Sequence, residues 1–230
     1  MNKILFTAVA VVALGALTSG FSEHSAEELQ KIPNDFQLIK EVLINTGRPA
    51  EAIYKIARFE DGNIVGLDLS VDKKMIVHTD DDDVNTYEDV YRFKPFNTLP
   101  AAIGELTTLR TLNLDGNSLT SLPEQIGQLT NLKVLTVKNN WLRSLPASIA
   151  NLEHLEVLDV RHNKIGTLSD GVGNLVLLKS LHLSGNKIKS LPNSIMTLRL
   201  KHFDIDHADL RRAPMEIAQW VKANSDEYYH

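Results

Sequence analysis

Asp159, His182 and Asp204 stand 23 and 22 residues apart, so a chain folded at that period would stack one imidazole between two carboxylates. Such a group can ligate a zinc-like ion, move a proton near neutral pH, or tie neighbouring strands together through charged hydrogen bonds. Arg161, His162, His202, Asp206 and His207 fall into the same region of the register. A single central histidine with no recognised ligand spacing favours cross-strand pairing or partner recognition over metal chemistry. No metal and no cofactor is therefore expected.

Other reactive groupings fare worse. The run Asp80 to Asp83 lacks the sixth-position glycine and twelfth-position glutamate of an EF-hand loop, and reads as a solvated acidic loop. The sequence has no GxSxG elbow, no HExxH pair and no glycine-rich phosphate loop. It has no cysteine at all, which removes thiol nucleophiles, thiolate metal sites and disulfides. His24, His78 and His154 have no ligand-like neighbours, and Trp141 is expected to pack against adjacent loops. A regular strand surface offers no oxyanion pocket, so the chain is not expected to be an enzyme.

What must position these residues is a repeat. Four units run without gaps, Leu99–Ser121, Leu122–Ser144, Leu145–Thr167 and Leu168–Ser190, and a fifth beginning at Leu191 is one residue short. Each follows LPxxIxxLxxLxxLxLxxNxLxx. In Leu132-Lys133-Val134-Leu135-Thr136-Val137, the apolar Leu135 and Val137 sit two apart, as a strand with one buried face requires. Asn140 follows where an amide can bond the backbone groups freed as the chain leaves the strand, and Asn117, Asn163 and Asn186 are its equivalents. Leu-Pro then breaks pairing, and Ile126, Leu129 and Leu132 at spacings of three suit a short 3₁₀ return. No unit can bury its leucines alone, whereas stacked neighbours can.

On these residues the chain resembles the leucine-rich repeat proteins. The wording Leu99-Pro100…Ile103-Gly104…Leu106 and Leu122-Pro123…Ile126-Gly127…Leu129 is similar to the 23-residue subclass of bacterial and Ras-group members. The resemblance implies an α/β right-handed solenoid, with a curved parallel sheet on the concave side and short helical or 3₁₀ returns on the convex side. It also implies a scaffold used chiefly for recognising proteins.

The flanks complete the organisation. Residues 1–20 carry Lys3, an apolar run from Ile4 to Leu17 and then small residues, the order of a secretory signal peptide. An exported protein, periplasmic or secreted, is expected, with no stable membrane insertion after cleavage. Residues 21–63 are expected as an N-terminal helical cap, with Leu29, Ile32, Phe36, Ile39 and Leu43 at helical spacing. The solenoid spans 64–212, with 64–98 degenerate, 99–190 regular and 191–212 the last repeat. Ile64–Ser70 repeats the strand pattern, and Leu67 lies 45 residues before Leu112, which predicts one degenerate unit between them with Val90 to Phe96 as its trace. Residues 213–230 are expected as a C-terminal cap and tail, Pro214 opening a helix with Ile217, Trp220 and Val221 on one side.

Residues alternating with the buried leucines must face outward in columns. The central column reads Asp68, a gap, Asn113, Thr136, Asp159, His182 and Asp204; the next reads Ser70, Asp115, Lys138, Arg161, Ser184 and Asp206. Without the leader, 23 basic side chains face 29 acidic ones, a net charge of −6, and no basic cluster points to nucleic acid. The function expected is a non-catalytic scaffold binding a protein through Thr136, Lys138, Asp159, Arg161, His162, His182, Asp204 and Asp206. The alternative is a module for cell-envelope glycan or a metal ion, using Asp159, His182 and Asp204.

Overall fold

The computed structural model describes residues 42–43, 45–46, 56–60, 63–71, 73–79, 85–91, 94–206 and 214–224. The export segment, most of the expected N-terminal helix, the Asp80–Asp83 run, His207 and the tail from 225 lie outside the described residues. Among the described residues nine strands follow in order: β1 (Ala57–Glu60), β2 (Asn63–Asp68), β3 (Lys73–Thr79), β4 (Asn85–Tyr91), β5 (Thr111–Asn113), β6 (Val134–Thr136), β7 (Val157–Asp159), β8 (Ser180–His182) and β9 (His202–Asp204). A helix, α1 (Met215–Asn224), follows Pro214.

Seven strands form one open sheet in the order β1-β2-β5-β6-β7-β8-β9. From β2 onward every pairing is parallel, and the register joins Leu112, Leu135, Leu158, Leu181 and Phe203 in a single row. Those side chains, with the row two residues on, are removed from water, because successive strand side chains point to opposite faces. Opposite the sheet run five 3₁₀ returns: Ala101–Glu105, Glu124–Gln128, Ala147–Asn151, Asp170–Asn174 and Asn193–Thr197. Their backbone bonds, such as Ile126 N–H to Pro123 O (3.0 Å) and Leu129 N–H to Ile126 O (3.1 Å), step by three. That step keeps Ile126, Leu129 and Leu132 on the inward side. The sheet and the returns thus form opposite sides of the stack, the sheet on the side expected to be concave.

The returns approach one another closely where the LPxxIG wording has its glycine. A β-carbon on Gly127 would lie 2.5 Å from the Ser148 carbonyl oxygen, so this position holds no larger residue without displacing the next return.

The turn out of each strand is fixed by the asparagines. Asn163 Oδ1 accepts the Leu142 N–H (2.9 Å), and its amide donates to Val137 O, Val160 O and Arg161 O at 2.8, 3.0 and 3.3 Å. Asn117 and Asn140 repeat this set, and Asn186 extends it to the last repeats. The ladder thus pairs backbone groups that no strand can reach. The residue before each asparagine takes a positive φ: Gly116 (73°), Asn139 (54°), His162 (54°) and Gly185 (72°). That is the left-handed region, which glycine enters without cost and asparagine and histidine more readily than most.

The N-terminal part departs from the sequence reading in two ways. No degenerate unit separates Leu67 from Leu112, because β2 pairs directly with β5 and sets Leu67 beside Leu112 and Asp68 beside Asn113. The column therefore has no gap at that point. Phe96 does belong to the preceding unit: it is buried, donates its N–H to Asn117 Oδ1 and accepts Ser118 N–H, as Leu119 does for Asn140 and Trp141 one period later. Leu67 and Leu112 are thus 45 positions apart where their successors are 23 apart. The excess of 22 is an insertion between a unit's strand and its return, and it contains β3 and β4, which pair antiparallel with each other outside the main sheet. The second departure is β1, which occupies Ala57–Glu60 within the stretch expected as helical cap and runs antiparallel to β2.

At the other end α1 buries Ile217 and Val221, and the Trp220 ring meets Phe203 edge-on with centroids 5.2 Å apart. Among the described residues, no helix is long and apolar enough to cross a membrane.

Candidate partner-binding face

Alternation along the short strands sends two rows of side chains to the concave surface. One row carries Thr111, Val134, Val157, Ser180 and His202; the other carries Asn113, Thr136, Asp159, His182 and Asp204. Beyond the strand ends, Gly116 N–H to Lys138 O, Asn139 N–H to Arg161 O and His162 N–H to Ser184 O continue the ladder. Lys138 and Arg161 therefore lie side by side in a third row. His162 stands apart at the left-handed turn, and its ring occupies the space a side chain on Gly185 would need. It belongs to the rim of the face.

The predicted cluster is brought together, but its members are committed to one another. Asp159, only 5% exposed, receives Arg161 Nε (3.0 Å) and Nη2 (2.7 Å) on its two oxygens, and Arg161 N–H on Oδ1 (3.2 Å). His182 Nδ1 is hydrogen-bonded to Asp204 Oδ2, while Asp204 Oδ1 accepts the N–H groups of Leu183 (3.2 Å) and Ser184 (3.0 Å). Asp206 takes Gly185 N–H (2.7 Å), and Asp115 takes Lys138 N–H (2.7 Å) and pairs with its ammonium at 3.3 Å. Among the described residues, no group of three or more His, Asp or Glu side chains could hold a metal ion.

The His182–Asp204 contact has a consequence for pH. Its hydrogen bond to Asp204 raises His182 above its ordinary 6.5 against the opposing effect of burial, the charges of Asp204 and Asp159 adding and that of Arg161 opposing. Burial pushes the Asp204 carboxyl up, but the bonds from His182 and Ser184 outweigh it and bring it from 3.8 to about 2. Below pH 6.5 the raised imidazole contributes its full stabilisation, which is lost as pH rises through its folded pKa; Asp204 contributes fully above 3.8 and loses it as pH falls toward 2. The pair thus supports the fold most between pH 3.8 and 6.5. Urea unfolding of the wild type and of His182→Gln should differ by about 1–2 kcal/mol at about pH 5, with the gap closing by about pH 9. A gap of constant size across that range would contradict the assignment.

Trp141 does not pack into its neighbours as expected. It is 53% exposed, with Lys164 Nζ 3.8 Å from the ring centroid, a cation–π contact on the flank formed by the turns. His154 is placed by Nδ1 against Thr130 O (2.9 Å).

Sequence reasoning put Asp68 and Asn113 in the outward column but did not choose the N-terminal end of the face as a site, and it missed Arg58. A cleft of about 420 Å³ lies there, lined by Arg58, Gly66, Asp68, Thr111, Asn113 and Val134 among others. The hairpin signal Asp61-Gly62 between Phe59-Glu60 and Asn63-Ile64 would have brought Arg58 to this end but opposite Val65; a register shift between Arg58 and Phe59 moves it beside Gly66.

Known proteins bear on the same residues. Residues 97–164 match the family described as leucine-rich repeat region, and 153–210 the family described as leucine rich repeat. Among solved structures, a Leptospira interrogans leucine-rich repeat protein is 38% identical, covering 46% of this chain and 28% of that one, with a TM-score of 0.44. This chain thus spans less than a third of that protein's length. The leucine-rich repeat domain of the type III effector XopL is 30% identical over 54% of each chain, TM-score 0.46. A plant ice-binding protein is 18% identical, covering 75% of this chain and 63% of its own, TM-score 0.55, a likeness of fold alone. No curated protein matches the sequence. The 23-residue register, the asparagine ladder and the family matches that together cover 97–210 agree: the chain belongs to the leucine-rich repeat proteins.

Proposed function

We propose that this chain is a non-catalytic scaffold that binds a protein partner through its concave strand face, after export by the segment 1–20. Leucine-rich repeat domains generally serve as non-catalytic scaffolds for protein–protein interaction. The observation that carries the reading here is the register: one strand per repeat, each offset by a single strand spacing, displays Thr136, Lys138, Asp159, Arg161, His182, Asp204 and Asp206 in fixed rows with His162 at the rim. A face whose backbone is already locked by the sheet and the ladder loses little conformational freedom on docking. The mechanism is presentation, and the side chains supply specificity through charge and shape.

The test uses substitutions that block the face without disturbing its internal pairs. Val157 is half-buried in the middle of the face and holds no charge, so Val157→Arg raises a bulky cation there. Glu153→Arg changes an exposed residue at the turn behind the sheet. A partner captured from the envelope fraction by wild type and by Glu153→Arg, and lost with Val157→Arg, supports the reading; equal capture by all three refutes it. Amino-terminal sequencing of the mature protein tests export, with cleavage expected near Gly20 and an intact Met1 counting against it.

A further inference from the structure

We infer that recognition is concentrated in the N-terminal cleft of the concave face, and that its occupant is an extended peptide segment carrying an acidic and a basic side chain two residues apart. The inference rests on the reading of the concave face as protein-binding and narrows it to one place and one chemistry.

The two halves of the face differ in what their polar groups are already doing. Toward the C-terminal end, Asp159, Asp204 and Asp206 are each bonded within the chain, Asp159 and Asp204 more than once. A partner docking there would compete with bonds already made, and desolvating such pairs returns little. Around the cleft the situation reverses. Among the described residues, the Arg58 guanidinium has no hydrogen bond or ion pair, and the Asp68 carboxylate accepts only the Ser70 N–H at 3.0 Å. The Thr111 hydroxyl and the side-chain N–H groups of Asn113 are likewise without a protein partner among the described residues. Binding can form new bonds here without breaking old ones.

Their placement follows from the register. Arg58 sits opposite Gly66, and Gly66 beside Thr111, while Asp68 sits beside Asn113. A β-carbon on Gly66 would lie 2.7 Å from Thr111 Oγ1 and 3.3 Å from the Arg58 β-carbon. The missing side chain is therefore what lets a guanidinium and a hydroxyl converge. Together they form a donor pair suited to a carboxylate. Asp68, two residues along β2 on the same face, is about 7 Å further down the strand and suits an ammonium or guanidinium. An extended segment presents residues i and i+2 on one side at the same separation. A free amino acid holds its two charges too close together to span both rows.

The probes are the peptides Ac-Gly-Glu-Gly-Lys-Gly-NH2 and Ac-Gly-Glu-Lys-Gly-Gly-NH2, which share composition but place the charges on one side or on opposite sides. Amide shifts followed while titrating the full chain should move at Gly66, Thr111 and Asn113 with the first peptide and favour it over the second. Arg58→Ser and Asp68→Asn should each weaken that binding about fivefold and leave thermal unfolding unchanged, while Glu153→Gln should leave binding as it was. No shift at those three amides with millimolar probe, shifts centred on His182 and Asp204, or equal response to both peptides each overturn the inference. Loss of partner capture by Val157→Arg together with a silent cleft would remove this inference and leave the concave-face reading standing.

Discussion

Asn163→Ala is expected to destabilise the chain by about 3 kcal/mol, measured by urea unfolding at neutral pH. The residue buries less surface than any core leucine, so the cost does not come from lost apolar packing. It comes from four backbone groups. Leu142 N–H loses its acceptor, and the carbonyls of Val137, Val160 and Arg161 each lose one of two donors, keeping the Asn140 amide, the Asn186 amide and Asn139 N–H respectively, in a place where Asn163 is itself 6% exposed and water cannot substitute freely. The orphaned Leu142 N–H costs about 1–3 kcal/mol and each lost bond to a carbonyl about 0.5–1.5 kcal/mol, offset in part by relaxation of the turn. Asn163→Asp sharpens the test, because it keeps the shape and the acceptor but turns a second oxygen toward three carbonyl oxygens. Aspartate should therefore be worse than alanine at this position, although it is the better turn residue by general propensity. Asn186→Ala should cost less than Asn163→Ala, since Asn186 is only half-buried and lies near the end of the stack. If Asn163→Asp and Asn163→Ala proved equally stable, the amide's donor role would be wrong.

The same ladder explains how much of the fold was legible beforehand. A leucine two residues from its partner, an asparagine three later and a Leu-Pro after that form a local code, and each repeat reads it independently of the others. The row from Leu112 to Phe203 could thus be written from sequence alone. The insertion carrying β3 and β4 could not, because a hairpin that pairs with itself leaves no mark in the period except a wrong distance, 45 in place of 23. That distance was open to two explanations, a missing unit or an inserted one, and the buried Phe96 bonded to Asn117 decides for insertion. The candidate site was legible in position and illegible in state. Columns tell which side chains are neighbours, and Asp159, His182 and Asp204 are neighbours. They do not tell which neighbour claims which lone pair. Arg161, two residues past the end of β7, reaches back to Asp159 and takes both oxygens, so the acid that a metal or a partner would need is already engaged.

That engagement carries the last prediction. Arg161→Ser should destabilise the chain by about 3 kcal/mol, because it removes two charged hydrogen bonds from a carboxylate that is almost fully buried and leaves that charge uncompensated. Asp159→Asn in the same chain should recover most of the loss, bringing the double variant to within about 1 kcal/mol of wild type. The fold supplies the precedent for both replacements. Asn113 holds the position of Asp159 two repeats earlier and accepts the N–H two residues on at 3.0 Å, as Asp159 accepts Arg161 N–H; Ser184 holds the position of Arg161 one repeat later. A double variant as unstable as Arg161→Ser would mean that the guanidinium stabilises something other than Asp159. The double variant also separates scaffold from recognition. If the pair serves only to hold the sheet and recognition lies at Arg58 and Asp68 as proposed, the chain carrying both Asp159→Asn and Arg161→Ser should capture a partner as wild type does; loss of capture by a double variant of wild-type stability would place Asp159 and Arg161 in the recognition surface.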